Sequence, residues 1–182
     1  NAWGYAPASL MRVDSLGSIT TIAVLAGNPF DVKVENTGAL PSGDFLVTLP
    51  LFGQLIRVDG AGGVTTLATG LASPIGVDTF PNGDYAVALS STDEIVRIPR
   101  AGGTPTTWVP SSQLGNIKDL VADGEGGFFV TEAGGALGAR LMRVDAGGNV
   151  TQVLGNAAFG FFQGAAHSPH LNVPLAPGTA LN

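Results

Sequence analysis

The sequence contains no cysteine, which excludes disulfides, thiol nucleophiles and thiolate-bound metals together. Charge is scarce: Asp, Glu, Lys and Arg make up 12% of the residues, about half the usual ~25% share. Eight Lys and Arg are scattered singly against fourteen Asp and Glu, for a net charge of −6 at pH 7. No basic cluster exists to displace counterions, so nucleic acid is not an expected partner. An anionic membrane surface is disfavoured on the same ground. Although 45% of the residues are hydrophobic, no run approaches the ~20 apolar residues of a spanning helix, and no transmembrane segment is expected. Sustained helical periodicity is lacking, and no Gly-x-Ser-x-Gly nucleophile elbow occurs.

What the chain has in quantity is punctuation, with 27 glycines and 12 prolines. Short strands joined by tight turns use both. One phrase recurs as Leu10-Met11-Arg12-Val13-Asp14, Leu55-Ile56-Arg57-Val58-Asp59, Ile95-Val96-Arg97-Ile98-Pro99 and Leu141-Met142-Arg143-Val144-Asp145. From Arg to Arg the steps are 45, 40 and 46 residues. A period of this size marks stacked supersecondary units and matches the length of a propeller blade.

Turn residues divide each repeat into four strands, labelled A to D from the axis outwards. In the central repeat A is 75–80, B 84–89, C 94–99 and D 105–109, separated by Pro81-Asn82-Gly83, Ser91-Thr92-Asp93 and Ala101-Gly102-Gly103. Tyr85, Val87 and Leu89 share one face of B by simple alternation. The predicted fold is all-β: a β-propeller of four-stranded antiparallel blades, about four repeats in all. Blades span 29–69, 74–110 and 116–155, with longer connections at 36–43 and 133–139. The N-terminal region supplies C and D strands at 10–13 and 18–24. The C-terminal region supplies an A strand at 161–166 and a B strand at 171–175. A composite blade from 1–25 and 157–175 would close the ring within a single domain, residues 1–182, and remove exposed sheet edges. Two other closures stay open on this reading: an arc of a larger ring, or a ring completed by other chains. Pro169, Pro174 and Pro177 make 168–182 equally readable as a C-terminal arm on a neighbour.

The segments Gly63-Val64-Thr65-Thr66-Leu67, Pro74-Ile75-Gly76-Val77-Asp78, Asn82-Gly83-Asp84-Tyr85-Ala86-Val87 and Ile95-Val96-Arg97-Ile98 together resemble NHL-type repeats. They also resemble the related propellers of the gluconolactonase, strictosidine-synthase and virginiamycin-lyase groups. The resemblance implies a β-propeller. It leaves the activity open, because this architecture hosts binders, scaffolds, hydrolases and lyases. In gluconolactonase-like enzymes a metal held by Glu, Asn and Asp at the channel does the chemistry, and that set has no residue-by-residue match here.

Candidate ligand residues lie on the innermost strands. Asp31, Gly76, Asp119 and Gln163 or Gly164 align at one level of strand A, with Lys33, Glu35 and Asp78 nearby. Asp31, Lys33, Asp78, Asp119 and Gln163 are the channel candidates, and Asp31 with Asp119 the metal candidates. Converging carboxylates suit Ca²⁺, which takes several oxygen ligands; the plainer account is a polar, water-filled channel without cofactor. The repeat arginines Arg12, Arg57, Arg97 and Arg143 read as structural parts that pair with a turn carbonyl or a nearby Asp. Asp14, Asp59 and Asp145 read as turn residues, and Asp123-Gly124-Glu125-Gly126-Gly127 as an A–B turn only superficially like a calcium loop. His167 and His170 flank Ser168 and read as loop or arm residues, because the spacing alone assigns no chemistry. Asn149-Val150-Thr151 is a glycosylation sequon within a turn. Trp3, Trp108 and the aromatics at 159–162 either face a carbohydrate or protein partner or fill space between blades.

The resulting expectation is a non-enzymatic binding or assembly module that self-associates through its terminal strands, or binds a protein or carbohydrate. Low Lys and abundant Thr, Ser, Asn and Gly favour an extracellular, periplasmic or cell-surface location. The alternative is a Ca²⁺-dependent lactonase-like hydrolase or lyase with Asp31, Asp78 and Asp119 at the channel.

Overall fold

A computed structural model describes residues 7–36, 41–133 and 138–156. These form one two-stranded and three four-stranded antiparallel sheets. The first holds β1 (Ala8–Val13) and β2 (Ile19–Leu25). The second runs β3 (Val32–Asn36), β4 (Pro41–Leu49), β5 (Gln54–Val58) and β6 (Val64–Ala68). The third runs β7 (Pro74–Thr79), β8 (Tyr85–Leu89), β9 (Glu94–Ile98) and β10 (Thr106–Val109). The fourth runs β11 (Ile117–Ala122), β12 (Phe128–Glu132), β13 (Ala139–Val144) and β14 (Val150–Asn156). Within each sheet every strand pairs with its neighbours in sequence, so all connections are hairpins. No helix among the described residues is long and apolar enough to cross a membrane.

Burial follows position within a blade. Every residue of β8 is buried, because strand B lies between the sheets before and after it, and Tyr-Ala-Val-Ala-Leu meets that demand on both faces. The outermost β6 and β10 expose their first residues, which are mainly Thr. The core is therefore inter-sheet. Ala23 and Leu25 meet Val47, Leu49, Ile56 and Val58. Leu46, Leu55 and Leu67 meet Val77, Tyr85, Val87 and Ile98. Ala86, Ile95 and Val109 meet Leu120, Phe128, Val130 and Val144. Trp108 joins the last group edge-on, its ring centroid 4.8 Å from Phe80 and 5.5 Å from Phe128.

Register makes the repeats equivalent residue by residue. Arg57 pairs across with Leu46, Arg97 with Ala86 and Arg143 with Phe129. Counting from these, Val32, Val77 and Leu120 share one place on strand A, and Asp31, Gly76 and Asp119 the place before it. The C–D turns are alike too. Asp14, Asp59 and Asp145 each accept backbone N–H bonds from residues two and four further on. In each a glycine amide returns to the Asp carbonyl, with Gly62 at φ 89° and Gly148 at φ 84°, a region most side chains avoid.

At the 36–43 insertion the flanking strands reach further than expected: β3 ends at Asn36 and β4 opens at Pro41, and these two pair beyond a register shift after Val34. Pro41 opens its strand, a position that suits a residue with no N–H to donate. Residues 1–6 and the predicted strands at 161–166 and 171–175 lie outside the described residues, so the composite blade stays a proposal.

Candidate functional site

Strand A places the predicted channel residues side by side, and their carboxylates serve mainly the neighbouring blade. Asp31 Oδ2 accepts the Val77 amide at 3.0 Å, and Asp78 Oδ2 accepts the Ala122 amide at 2.9 Å. Each aspartate thus ties its inner strand to the next one. Lys33 and Asp78 occupy equivalent places in adjacent blades, and Lys33 Nζ lies 3.6 Å from Asp78 Oδ2. Asp119 Oδ1 accepts the amide of its own neighbour Leu120 at 2.8 Å. Burial pushes the Asp31 carboxyl above its ordinary value; the Val77 amide opposes this and the Asp119 charge adds to it. Gly76 lies at the same level, between the blades that carry those two aspartates. A Cβ there would stand 2.7 Å from Asp119 Oδ1 and 2.8 Å from the Leu120 nitrogen. The glycine is therefore what lets the third and fourth blades approach.

Among the described residues, no three carboxylate or imidazole side chains converge to hold a metal ion. Gln163, His167, Ser168 and His170 lie outside the described residues. Asp123 caps its own turn, accepting from the Glu125 and Gly127 amides, while Arg143 takes its second oxygen at 2.9 Å and Glu125 at 2.6 Å. The carboxylates of that loop are engaged by protein groups, as an A–B turn requires.

The most elaborate polar cluster is one that sequence reasoning did not assemble. Glu35 is 2% exposed. Arg57 Nε lies 2.9 Å from its Oε2 and Arg100 Nε 3.4 Å from its Oε1. The Tyr85 hydroxyl donates to Oε1 at 2.7 Å and accepts from Arg57 Nη2. Strand A and strand C of the second blade are thereby locked to strand B and the C–D turn of the third. Burial pushes the Tyr85 hydroxyl up to about 12; the Glu35 carboxylate adds to the rise and Arg57 opposes it. A sequence signal existed. Facing the repeat arginine, strand A carries Glu35 in one blade, Phe80 in the next and Asp123 in the last. Arg97 accordingly stacks on the Phe80 ring, 4.6 Å from its centroid, and takes its carboxylate from Asp84 at 2.8 Å. A second buried carboxylate, Glu132, accepts the Gly115 amide at 2.7 Å and pairs with Arg140 at 2.6 Å.

No protein-family model matches the chain, and no curated protein matches it. Solved structures do. A virginiamycin B lyase from Staphylococcus aureus, with quinupristin, aligns at TM-score 0.60 and 17% identity over 78% of this chain and 47% of that one. A chain of the nidogen–laminin complex aligns at TM-score 0.68 and 18% identity over 81% and 57%. Regucalcin, a calcium-binding protein from Agrobacterium tumefaciens, aligns at TM-score 0.61 and 23% identity over 78% and 52%. The chain thus spans about half the length of the solved structures it matches. The shared part is the repeating four-stranded sheet, and the fold of this chain is that of an NHL-like β-propeller.

Proposed function

We propose that this chain is a non-enzymatic binding and assembly module that associates through its two end faces. One observation carries the reading: places buried in the interior of the arc are open at its ends. Val77 and Leu120 are 0% exposed, whereas their equivalent Val32 is 47% exposed. At the other end Leu154 is 46% exposed, where its equivalents Ala68 and Val109 are at 5% and 0%. Phe129 and Leu141 on that face are half-buried, while Leu46 and Leu55 in the same places are at 0%. Apolar faces of this kind gain about 25 cal/mol per Å² when covered, and the repeat itself shows the shape of what covers them. A heterologous contact, end face to end face, is the geometry these two surfaces offer. The extracellular, periplasmic or cell-surface setting rests on the low Lys content and the abundance of Thr, Ser, Asn and Gly. The nidogen–laminin complex is a neighbouring example of this fold in a protein assembly.

Light scattering across a concentration series tests the reading. Mass should rise with concentration, and Leu154→Glu should abolish the rise. A chain that stays monomeric at high concentration contradicts self-assembly.

A metal-dependent lactonase-like or lyase-like reading rests on Asp31 and Asp119, which are near enough for the Asp119 charge to raise the Asp31 carboxyl; one oxygen each of Asp31 and Asp78 already accepts an inter-blade amide. Calorimetric titration with Ca²⁺ decides it: heat that Asp119→Asn removes would support it, and no heat in the unmodified chain would end it.

A further inference from the structure

The first sheet consists of β1 and β2 alone, which are the C and D strands of a blade. Among the described residues no strand pairs with the inner edge of β1. In every complete sheet that edge carries a B strand and then an A strand.

The repeat arginine shows what chemistry those strands must bring. Arg57 has Glu35, Arg97 has Asp84, and Arg143 has Asp123 and Glu125. Each of these carboxylates comes from the A strand, the A–B turn or the residue that opens strand B. Arg12 holds the same place on β1 and has no ion pair among the described residues. All fourteen Asp and Glu of the chain lie within the described residues, so residues 157–182 and 1–6 have no side-chain carboxylate to offer. Asp14, the nearest acidic residue in sequence, is already turned onto the Leu16 and Ser18 amides.

Beside Arg12 lies a groove of about 790 Å³ between the first two sheets, lined by Thr20, Ile22, Val34, Gly43 and Phe45 among others. Its apolar wall includes Val34, 50% exposed, at the place of Thr79 and Ala122. Among the described residues, apolar surface, an open strand edge and a guanidinium without an ion pair therefore sit together where an A–B hairpin belongs.

Resting on the assembly reading above, we propose that the inner edge of β1 takes up an acidic β-hairpin of the repeat's own A–B type. That hairpin is supplied from outside residues 157–182, and one of its carboxylates pairs with Arg12. Main-chain bonds to β1 would give affinity, and the carboxylate would select the hairpin. The three A–B hairpins of this chain each serve their own sheet, so a second copy has none to spare.

The test uses the full chain and a synthetic hairpin copying residues 75–90, read by calorimetry and by hydrogen exchange along β1. The hairpin should bind and slow exchange at β1. An Asp84→Asn hairpin should bind about ten- to a hundredfold more weakly, and this gap should close on an Arg12→Gln chain. Equal binding of both hairpins to both chains would overturn the role of the carboxylate and leave the assembly reading intact. Slow exchange along β1 in the dilute chain alone, or no binding of either hairpin, would overturn the proposal outright. Light scattering judges the assembly reading separately in all three cases.

Discussion

Arg57 and Arg143 hold the same place in their repeats, and their surroundings give them different weight. Arg57 reaches a carboxylate that is 2% exposed and belongs to a network shared by two blades. Arg143 stays within its own blade and meets Asp123, whose side chain is also 2% exposed but serves only its own turn, and a largely exposed Glu125. A repeated residue therefore marks a structural position, while the energy is set by whether a further blade packs over it. The same rule separates interior from end: Leu120 is covered by the blade before it and Val32 is not.

Identical substitutions at the equivalent arginines should show the largest contrast. Arg57→Gln leaves Glu35 buried with only Arg100 and Tyr85, and should lower stability towards the smaller end of about 3–5 kcal/mol. Arg143→Gln should lower the urea midpoint less, because Arg143 itself is more exposed and Asp123, once deprived of it, still accepts the Glu125 and Gly127 amides of its own turn. A second pair compares apolar positions. Leu120→Ala should cost about 2–5 kcal/mol, and Val32→Ala less than about 0.5 kcal/mol in the monomer. Should Val32→Ala cost as much as Leu120→Ala, the end face is already covered.

Tyr85→Phe removes the hydroxyl from Glu35 and should cost about 1–2 kcal/mol at neutral pH. The Tyr85 hydroxyl is raised from 10.0 to about 12 in the folded chain. Its contribution is therefore complete below pH 10 and is lost as pH rises towards 12. The phenylalanine variant should lack that alkaline slope in a pH series of thermal melts. The smallest effect concerns Asp31, whose carboxyl is raised above 3.8 by burial first, with the Asp119 charge adding. Its contribution is complete below pH 3.8 and lost as pH rises through the folded value, so the ionised form is a cost at neutral pH. Asp31→Asn keeps an oxygen for the Val77 amide and should raise stability slightly, by less than about 1 kcal/mol.

Much of the architecture was legible because the determinants are local. Strand B alternation around Tyr85, the Asp-led C–D turns and the Arg phrase each act within a few residues. Among the described residues strand ends fell within two residues of their predicted places, except that β4 begins three residues early, at Pro41. The site was less legible, because its partners meet only once blades stack. Asp31 reads as a free ligand in the sequence, and its contact with the Val77 amide spans 46 residues. Glu35, Tyr85 and Arg100 come from two blades, and nothing in their own repeats announces the meeting beyond the change from Glu35 to Phe80 and Asp123.

Hydrogen exchange read against protein concentration tests the central claim most directly. The account predicts slow, concentration-independent exchange in β8 and β12, with β1 and β14 fast when dilute and slowing as concentration rises. Exchange at β1 and β14 that is as slow as in β8 at every concentration would contradict it.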